Sequence, residues 1–218
     1  MRKSAIIFGA TGLIGGHLLR QLLDNPVYGK IIAVVRRDIG ITHPKLHQLI
    51  ADLQALNTIE AELIGDDVFC CLGTTRKRTP DLTDYYQVDH DYPVAIASIT
   101  KGNGASAFML VSAVGANPDS SNFYLRIKGE AERDIRAVGF ESLHIFRPSL
   151  LTGKRHEQRW TERVSEKVLW AINPLLVGSL TRYRSIPAAS VAAAMNSIAQ
   201  REAKGTHIYY WNHINMLA

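Results

Sequence analysis

Tyr124 and Lys128 lie four residues apart, and Ser112 directly follows the apolar run Ala107–Val111. A phenol, an ammonium group and a hydroxyl are the groups needed to move a proton at a carbonyl oxygen. On a helix, the four-residue spacing puts Tyr124 and Lys128 one turn apart on one face. A free tyrosine, with a pKa of about 10, is a poor acid or base at neutral pH. A lysine cation, joined by the positive charge of a nicotinamide cofactor, would bring it toward a working value. Tyr124 would then give a proton to a carbonyl oxygen as hydride reaches the carbon, or take it back in reverse. Ser112 would hold the same oxygen, and Lys128 would reach the nicotinamide ribose. A Tyr-x-x-x-Lys spacing alone is common by chance. The competing reading is a surface Tyr/Lys pair beside a strand-end serine.

Hydride needs a carrier, and residues 5–15 supply a place for one. The apolar run Ala5–Phe8 ends in Gly9-Ala10-Thr11-Gly12-Leu13-Ile14-Gly15, and Leu18, Leu19, Leu22 and Leu23 continue at helical spacing. A strand, a glycine turn and a helix present free backbone N–H groups and a positive helix end to a diphosphate. Gly9 permits the turn, Gly12 lets the diphosphate approach, and Gly15 lets helix and strand pack closely. The spacing is G-x-x-G-x-x-G, and a ligand-free glycine turn is the alternative. About 20 residues beyond Gly15, where an acidic residue would accept from the ribose 2′-hydroxyl, stand Arg36 and Arg37. Guanidinium pairs with a 2′-phosphate through charge-assisted bonds, whereas a carboxylate would repel it. NADP(H) is therefore expected over NAD(H); two solvated arginines beside Asp38 are the alternative.

The elements that must hold these groups alternate. Strands are expected at Ala5–Phe8, Ile31–Val35, His47–Ile50, Asp67–Cys71, Ala107–Val111 and Ser142–Phe146. Helices are expected up to Asp24, over Tyr85–Thr100 and over Tyr124–Val138, with Gly139 as a stop. This order predicts an α/β fold, a doubly wound parallel sheet with helices on both faces. Beyond Pro148 the rhythm loosens. A helix is expected at Glu157–Ile172, another at Ala188–Gln200 and a short strand at Ile208–Trp211. A single domain over residues 1–218 is the economical reading, with residues 149–218 on the substrate side of the sheet.

The composition narrows the partners. With 218 residues, 46% hydrophobic and 21% charged, the chain reads as globular, and its net charge of +5 is spread rather than blocked. Nucleic acid is not expected as a partner, and an anionic phosphate-bearing ligand fits. No secretory signal or membrane span is expected, since apolar runs are short and broken by glycine or proline. The cysteines, Cys70 and Cys71, are adjacent in a strand, so a disulfide between them would be strained. Two reduced thiols point to a cytoplasmic protein. The eight histidines show no metal-ligand spacing, and no metal is expected.

Three segments carry a family resemblance: Gly9 to Gly15, Ser112-Ala113-Val114-Gly115-Ala116, and Tyr124-Leu125-Arg126-Ile127-Lys128-Gly129-Glu130. In these the chain resembles the short-chain dehydrogenase/reductase superfamily, in its branch with a G-x-x-G-x-x-G loop. Cys70-Cys71-Leu72-Gly73-Thr74-Thr75 and Lys128-Gly129-Glu130-Ala131-Glu132 are most similar to the Tat-interacting-protein-like oxidoreductases. The resemblance implies that Ser112, Tyr124 and Lys128 are the catalytic serine, tyrosine and lysine. It implies that Asp52 and Leu53 lie at the adenine, although Asp52 also reads as an ordinary exposed carboxylate. Leu72, Gly73 and Thr74 would lie beside the cofactor ribose, and Arg147-Pro148-Ser149 would turn the chain toward the nicotinamide. Many members carry an asparagine on the helix before the Ala107 strand; here Val88 is followed by Asp89.

The leading expectation is an NADP(H)-dependent oxidoreductase acting on a small carbonyl or alcohol. The alternative is a non-catalytic NADP(H)-binding redox sensor acting through a protein partner, as the related eukaryotic group's association with protein interactions implies. A sugar-nucleotide epimerase shares the triad but usually needs a larger C-terminal region. Arg76-Lys77-Arg78 reads as a lid, a phosphate clamp or a solvated turn. Trp160, Trp170 and Leu175–Val177 read as a pocket lining or as core. A homodimer is the commonest symmetric assembly.

Overall fold

Every residue of Ala5–Phe8 is apolar because this strand is covered on both faces. In a computed structural model that describes residues 2–153, 176–201 and 203–218, β1 (Lys3–Phe8) lies between β2 (Tyr28–Val35) and β4 (Asp67–Cys70). Successive side chains of a strand point to opposite faces. Ala5 and Ile7 enter one core with Leu18, Leu22 and Val191, while Ile6 and Phe8 enter the other with Ile96, Ala97 and Ile135. Burial on both faces is what an unbroken apolar run requires.

Seven described strands form one parallel sheet in the order β3-β2-β1-β4-β5-β6-β9, with β3 at Leu46–Ile50, β5 at Ala107–Val111, β6 at Ser142–Phe146 and β9 at Gly205–Tyr209. The chain runs outward from β1 to β3, then returns to the other side of β1 as β4. That reversal opens a crevice at the C-terminal ends of β1 and β4, where open α/β sheets bind ligands. The expected doubly wound sheet is present.

Helix α1 (Leu13–Asp24) follows the glycine turn, and Asn25 caps its end through a backbone bond to Leu22. The second helical stretch starts earlier than expected, at α2 (Leu82–Tyr86), because the Asp81 side chain accepts from Thr83 N and Asp84 N. It runs through a π-helical turn, Gln87–Asp91, into α3 (Tyr92–Gly102). Such an inserted turn often marks a functional site. It rotates Asp89 and His90 inward, and both are buried. α4 (Phe123–Val138) is capped by the Asn122 side chain at Leu125 N and ends at Gly139, whose φ of 78° suits glycine.

Beyond Pro148 the structure departs from the sequence reading. A two-stranded sheet of β7 (Leu151–Thr152) and β8 (Ile186–Pro187) precedes α5 (Ala188–Ile198), which packs on α1. β9 starts before the expected Ile208 and ends before Trp211, which instead opens α6 (Trp211–Leu217). Gly205 permits the early start, and the indole N–H of Trp211 donates to Ser185 O at 3.0 Å, tying α6 to the preceding segment. The expected helix at Glu157–Ile172, with Trp160, Trp170 and Leu175, lies outside the described residues. Val177 is exposed. Among the described residues no helix is long and apolar enough to cross a membrane, and no acid, histidine or cysteine group could hold a metal.

Candidate active site

The glycine turn is tight for a steric reason. Gly9 has φ +80°, and a Cβ there would stand 2.7 Å from the carbonyl oxygen of Cys71, at the end of β4. A Cβ on Gly15 would stand 2.1 Å from Gly9 O, closer than any side chain tolerates. Gly12 N donates to Gly9 O at 2.9 Å and closes the turn. No side chain caps α1 and no acidic residue occupies its first turn. A helix start left bare in this way, at the mouth of the crevice and next to backbone that glycine keeps uncovered, suits a diphosphate. Ala10, Thr11, Leu13 and Ile14 complete the turn, with Ala10 and Ile14 buried beneath it.

Tyr124, Lys128 and Glu132 occupy successive turns of α4. The helix can pack closely on the loop that precedes it because residue 129 is glycine: a Cβ there would lie 2.2 Å from Asn117 C and Pro118 N. Tyr124 keeps 39% of its surface exposed, while Lys128 is buried. The Lys128 ammonium lies 2.7 Å from Asp89 Oδ1. Thr74 N donates to Asp89 Oδ2 at 2.9 Å. A Cβ on Gly73 would come within 3.6 Å of Asp89 Oδ1 and 3.8 Å of Lys128 Nζ, so the Gly73 backbone lies on this ion pair. The structure thus brings Gly73, Thr74, Asp89, Lys128 and Tyr124 together beside the crevice.

The electrostatics differ from the sequence expectation. Packing around the Tyr124 phenol raises its pKa, the Lys128 cation pulls it down, and the Asp89 carboxylate raises it again; the net direction is upward. Burial pulls Lys128 down, but Asp89 and the Tyr124 hydroxyl outweigh it and keep the ammonium charged. The carboxylate that faces the lysine is what offsets its pull on the phenol. Burial also pushes the Cys70 thiol up to about 11, and both cysteines are unpaired.

Ser112 is buried, and its hydroxyl donates to Glu132 Oε1 at 2.5 Å. Glu132 is fully buried and also receives Arg147 through Nε at 2.8 Å and Nη2 at 2.6 Å, with Arg136 Nη2 at 3.0 Å. Arg147 Nη1 reaches Tyr210 Oη at 2.9 Å. This network joins α4, β5, β6 and the start of α6. Glu132 was visible only as part of a charged run; its signals were the four-residue spacing to Lys128 and to Arg136.

The remaining residues are more dispersed. Arg36 and Arg37 follow β2, are exposed, and form no ion pair among the described residues, while Asp38 turns its carboxylate to Gly40 N at 2.8 Å. Asp52 caps a short 3₁₀ turn by accepting from Gln54 N at 3.1 Å, and Leu53 packs on the core. Leu72 is half-buried in the loop after β4. Pro148 is buried, and its carbonyl accepts from Val114 N at 2.9 Å. Arg76 and Lys77 sit in a turn closed by Arg78 N to Thr75 O and by the Thr74–Thr79 hydroxyl pair.

A parallel sheet whose reversal point carries a bare glycine turn defines a dinucleotide-binding α/β protein of the Rossmann type. Comparison with known proteins agrees, since a family profile described as NAD(P)H-binding matches residues 9–202. The chain belongs to that NAD(P)H-binding family. Protein HTATIP2 of Rattus norvegicus is 32% identical over 197 residues, covering 88% of this chain and 79% of that one. The protein named "Protein FMP52, mitochondrial" of Saccharomyces cerevisiae is 35% identical over 157 residues, 70% of this chain and 67% of that one. The resemblance to Tat-interacting-protein-like oxidoreductases therefore holds. Among solved structures, the Bordetella bronchiseptica enzyme WbmH in complex with NAD+ superimposes with TM-score 0.70 at 15% identity, over 97% of this chain and 76% of that one. A UDP-N-acetylglucosamine 4-epimerase from Methanobrevibacter ruminantium gives 0.71 at 18% identity, over 96% and 76%. At such identities the likeness is one of fold.

The relatives correct the cytoplasmic expectation, because several are proteins named mitochondrial. That expectation rested on unpaired thiols and on a missing leader pattern. Reduced cysteines suit any reducing compartment, so they did not discriminate.

Proposed function

We propose that the chain is an NADP(H)-dependent oxidoreductase that moves hydride to or from a small carbonyl or alcohol, with Tyr124 as proton donor and acceptor. The observation that carries this reading is the partly exposed Tyr124 one turn from the buried Lys128 cation, beside the loop that follows β4. When bound, the reduced dinucleotide supplies the hydride. The Gly9–Gly15 turn and the bare start of α1 bind its diphosphate, while Arg36 and Arg37 bind the 2′-phosphate. Asp52 and Leu53 flank the adenine; Leu72, Gly73 and Thr74 flank the ribose; Pro148 bounds the nicotinamide side. Lys128 donates toward the ribose with the ammonium hydrogens that Asp89 leaves free. The substrate oxygen takes the Tyr124 proton, so one O–H bond forms as the phenolic O–H breaks, and water returns a proton to the tyrosinate.

Each charge-assisted bond contributes about 1.5–3 kcal/mol. Replacing both Arg36 and Arg37 by alanine is therefore expected to weaken NADPH binding by about tenfold or more while leaving NADH nearly unchanged. Titration calorimetry with both nucleotides checks this; a parent that prefers NADH removes the role given to the arginines.

One observation favours a second reading, a dinucleotide-binding sensor without turnover that acts through a protein partner. The Ser112 hydroxyl donates its hydrogen bond to Glu132, so the site offers a substrate oxygen one hydroxyl donor rather than two. Turnover across a panel of small aldehydes, ketones and alcohols separates the readings.

A further inference from the structure

Asp89 faces the centre of the site from a π-helical turn, and its two oxygens are divided between the Lys128 ammonium at 2.7 Å and Thr74 N at 2.9 Å. The carboxylate is 1% exposed and Lys128 5% exposed, so water screens neither. A buried acid and a buried base in contact form a pair whose net charge is zero. The lysine therefore acts on Tyr124 as one end of a dipole rather than as a free cation. We propose that Asp89 is a positioning residue that holds Lys128 as a neutralised ion pair, so that the Tyr124 phenol binds its proton more tightly than it would beside a free lysine cation.

The surroundings support this arrangement. From its own helix Tyr124 is faced by Lys128, and from the π-helical turn by Asp89. From α2 it is faced by Tyr85, itself a neutral phenol pushed up to about 12, with Arg76 beyond it. From β4, Cys70 lies behind Lys128 with its thiol kept neutral by burial. Among the described residues, the charged groups that act on the phenol are thus the two members of the pair. Removing the Asp89 charge alone leaves the lysine uncompensated, which favours tyrosinate; lengthening the carboxylate preserves the charge. The sign follows directly: Asp89→Asn weakens proton binding at Tyr124, and Asp89→Glu leaves it near the parent.

This inference rests on Tyr124 as the proton-transferring group, and it is tested without turnover, so its failure is distinct from that of the proposed function. Tyrosines labelled with ¹³C at Cζ are titrated by NMR in the nucleotide-free protein, and the Tyr124 resonance is assigned by its loss in Tyr124→Phe. The parent is expected to titrate above free tyrosine, and Asp89→Asn to bind the proton about tenfold or more weakly, with Asp89→Glu restoring it. An unchanged Tyr124 titration in Asp89→Asn overturns the proposal. If Asp89→Asn does not fold, the double variant Asp89→Asn/Lys128→Gln, which removes both charges and leaves no unpaired one, is titrated in its place: a Tyr124 close to the parent supports a neutralised pair, and one that binds its proton about tenfold or more tightly, as the loss of an uncompensated cation requires, overturns it.

Discussion

Tyr124→Phe is expected to lower kcat for carbonyl reduction by about 10²–10⁴-fold, the contribution typical of a positioned general acid. The substitution deletes one oxygen from a residue that is half-exposed at the crevice, so the fold should persist. NADPH binding should weaken by at most about tenfold, since the loss is at most one neutral hydrogen bond of roughly 0.5–1.5 kcal/mol. The diagnostic is the split between the two numbers. Steady-state kinetics on the best substrate of the panel, with calorimetric binding beside it, measures both. A variant that turns over like its parent would remove Tyr124 from the chemistry, whereas equal losses in kcat and in binding would make it a cofactor ligand only.

The largest stability effect is expected at Glu132. This carboxylate is fully buried and accepts from Ser112, Arg136 and Arg147. Removing one partner of a buried ion pair leaves the other charge desolvated and costs about 3–5 kcal/mol. Arg136 is partly exposed and can turn to water; Arg147 is held between Glu132 and Tyr210 and has less freedom. Glu132→Ala should therefore lower the melting temperature by roughly 10 °C, using about 2–4 °C per kcal/mol for a chain of this size. Glu132→Gln keeps an acceptor for Ser112 and should lose less. Thermal unfolding by circular dichroism checks both. A shift of under about 2 °C for the alanine variant would mean that water already reaches this network.

Both residues sit on α4, yet they were not equally legible. Tyr124 announces itself because tyrosine and lysine one turn apart after a strand-end serine have a chemical use. Glu132 does not, because a glutamate in a charged helix normally faces water; only the approach of Arg147, which follows β6, makes burial affordable. The same limit explains Asp89. Sequence alone marked it as a departure from the asparagine of related chains, but its contact with Lys128 depends on the π-helical turn, which has no signature in residue types. The sheet was legible because the runs Ala5–Phe8, Ile31–Val35, Val68–Cys70 and Ala107–Leu110 are buried on both faces and apolar throughout. Beyond Pro148 the strands are short, two residues each in β7 and β8, and too brief to show a period. The cytoplasmic expectation failed because the feature used, two adjacent reduced cysteines, reflects redox state and not address.

Isotope transfer tests the central claim most directly. NADPH carrying deuterium at the transferable C4 position is incubated with the protein and the carbonyl panel, and the products are analysed by mass spectrometry. The account predicts one deuterium at the carbinol carbon, in an amount equal to the NADPH oxidised, and its disappearance with Tyr124→Phe. Tight NADPH binding with no deuterium in any product would contradict it and leave a dinucleotide sensor in its place.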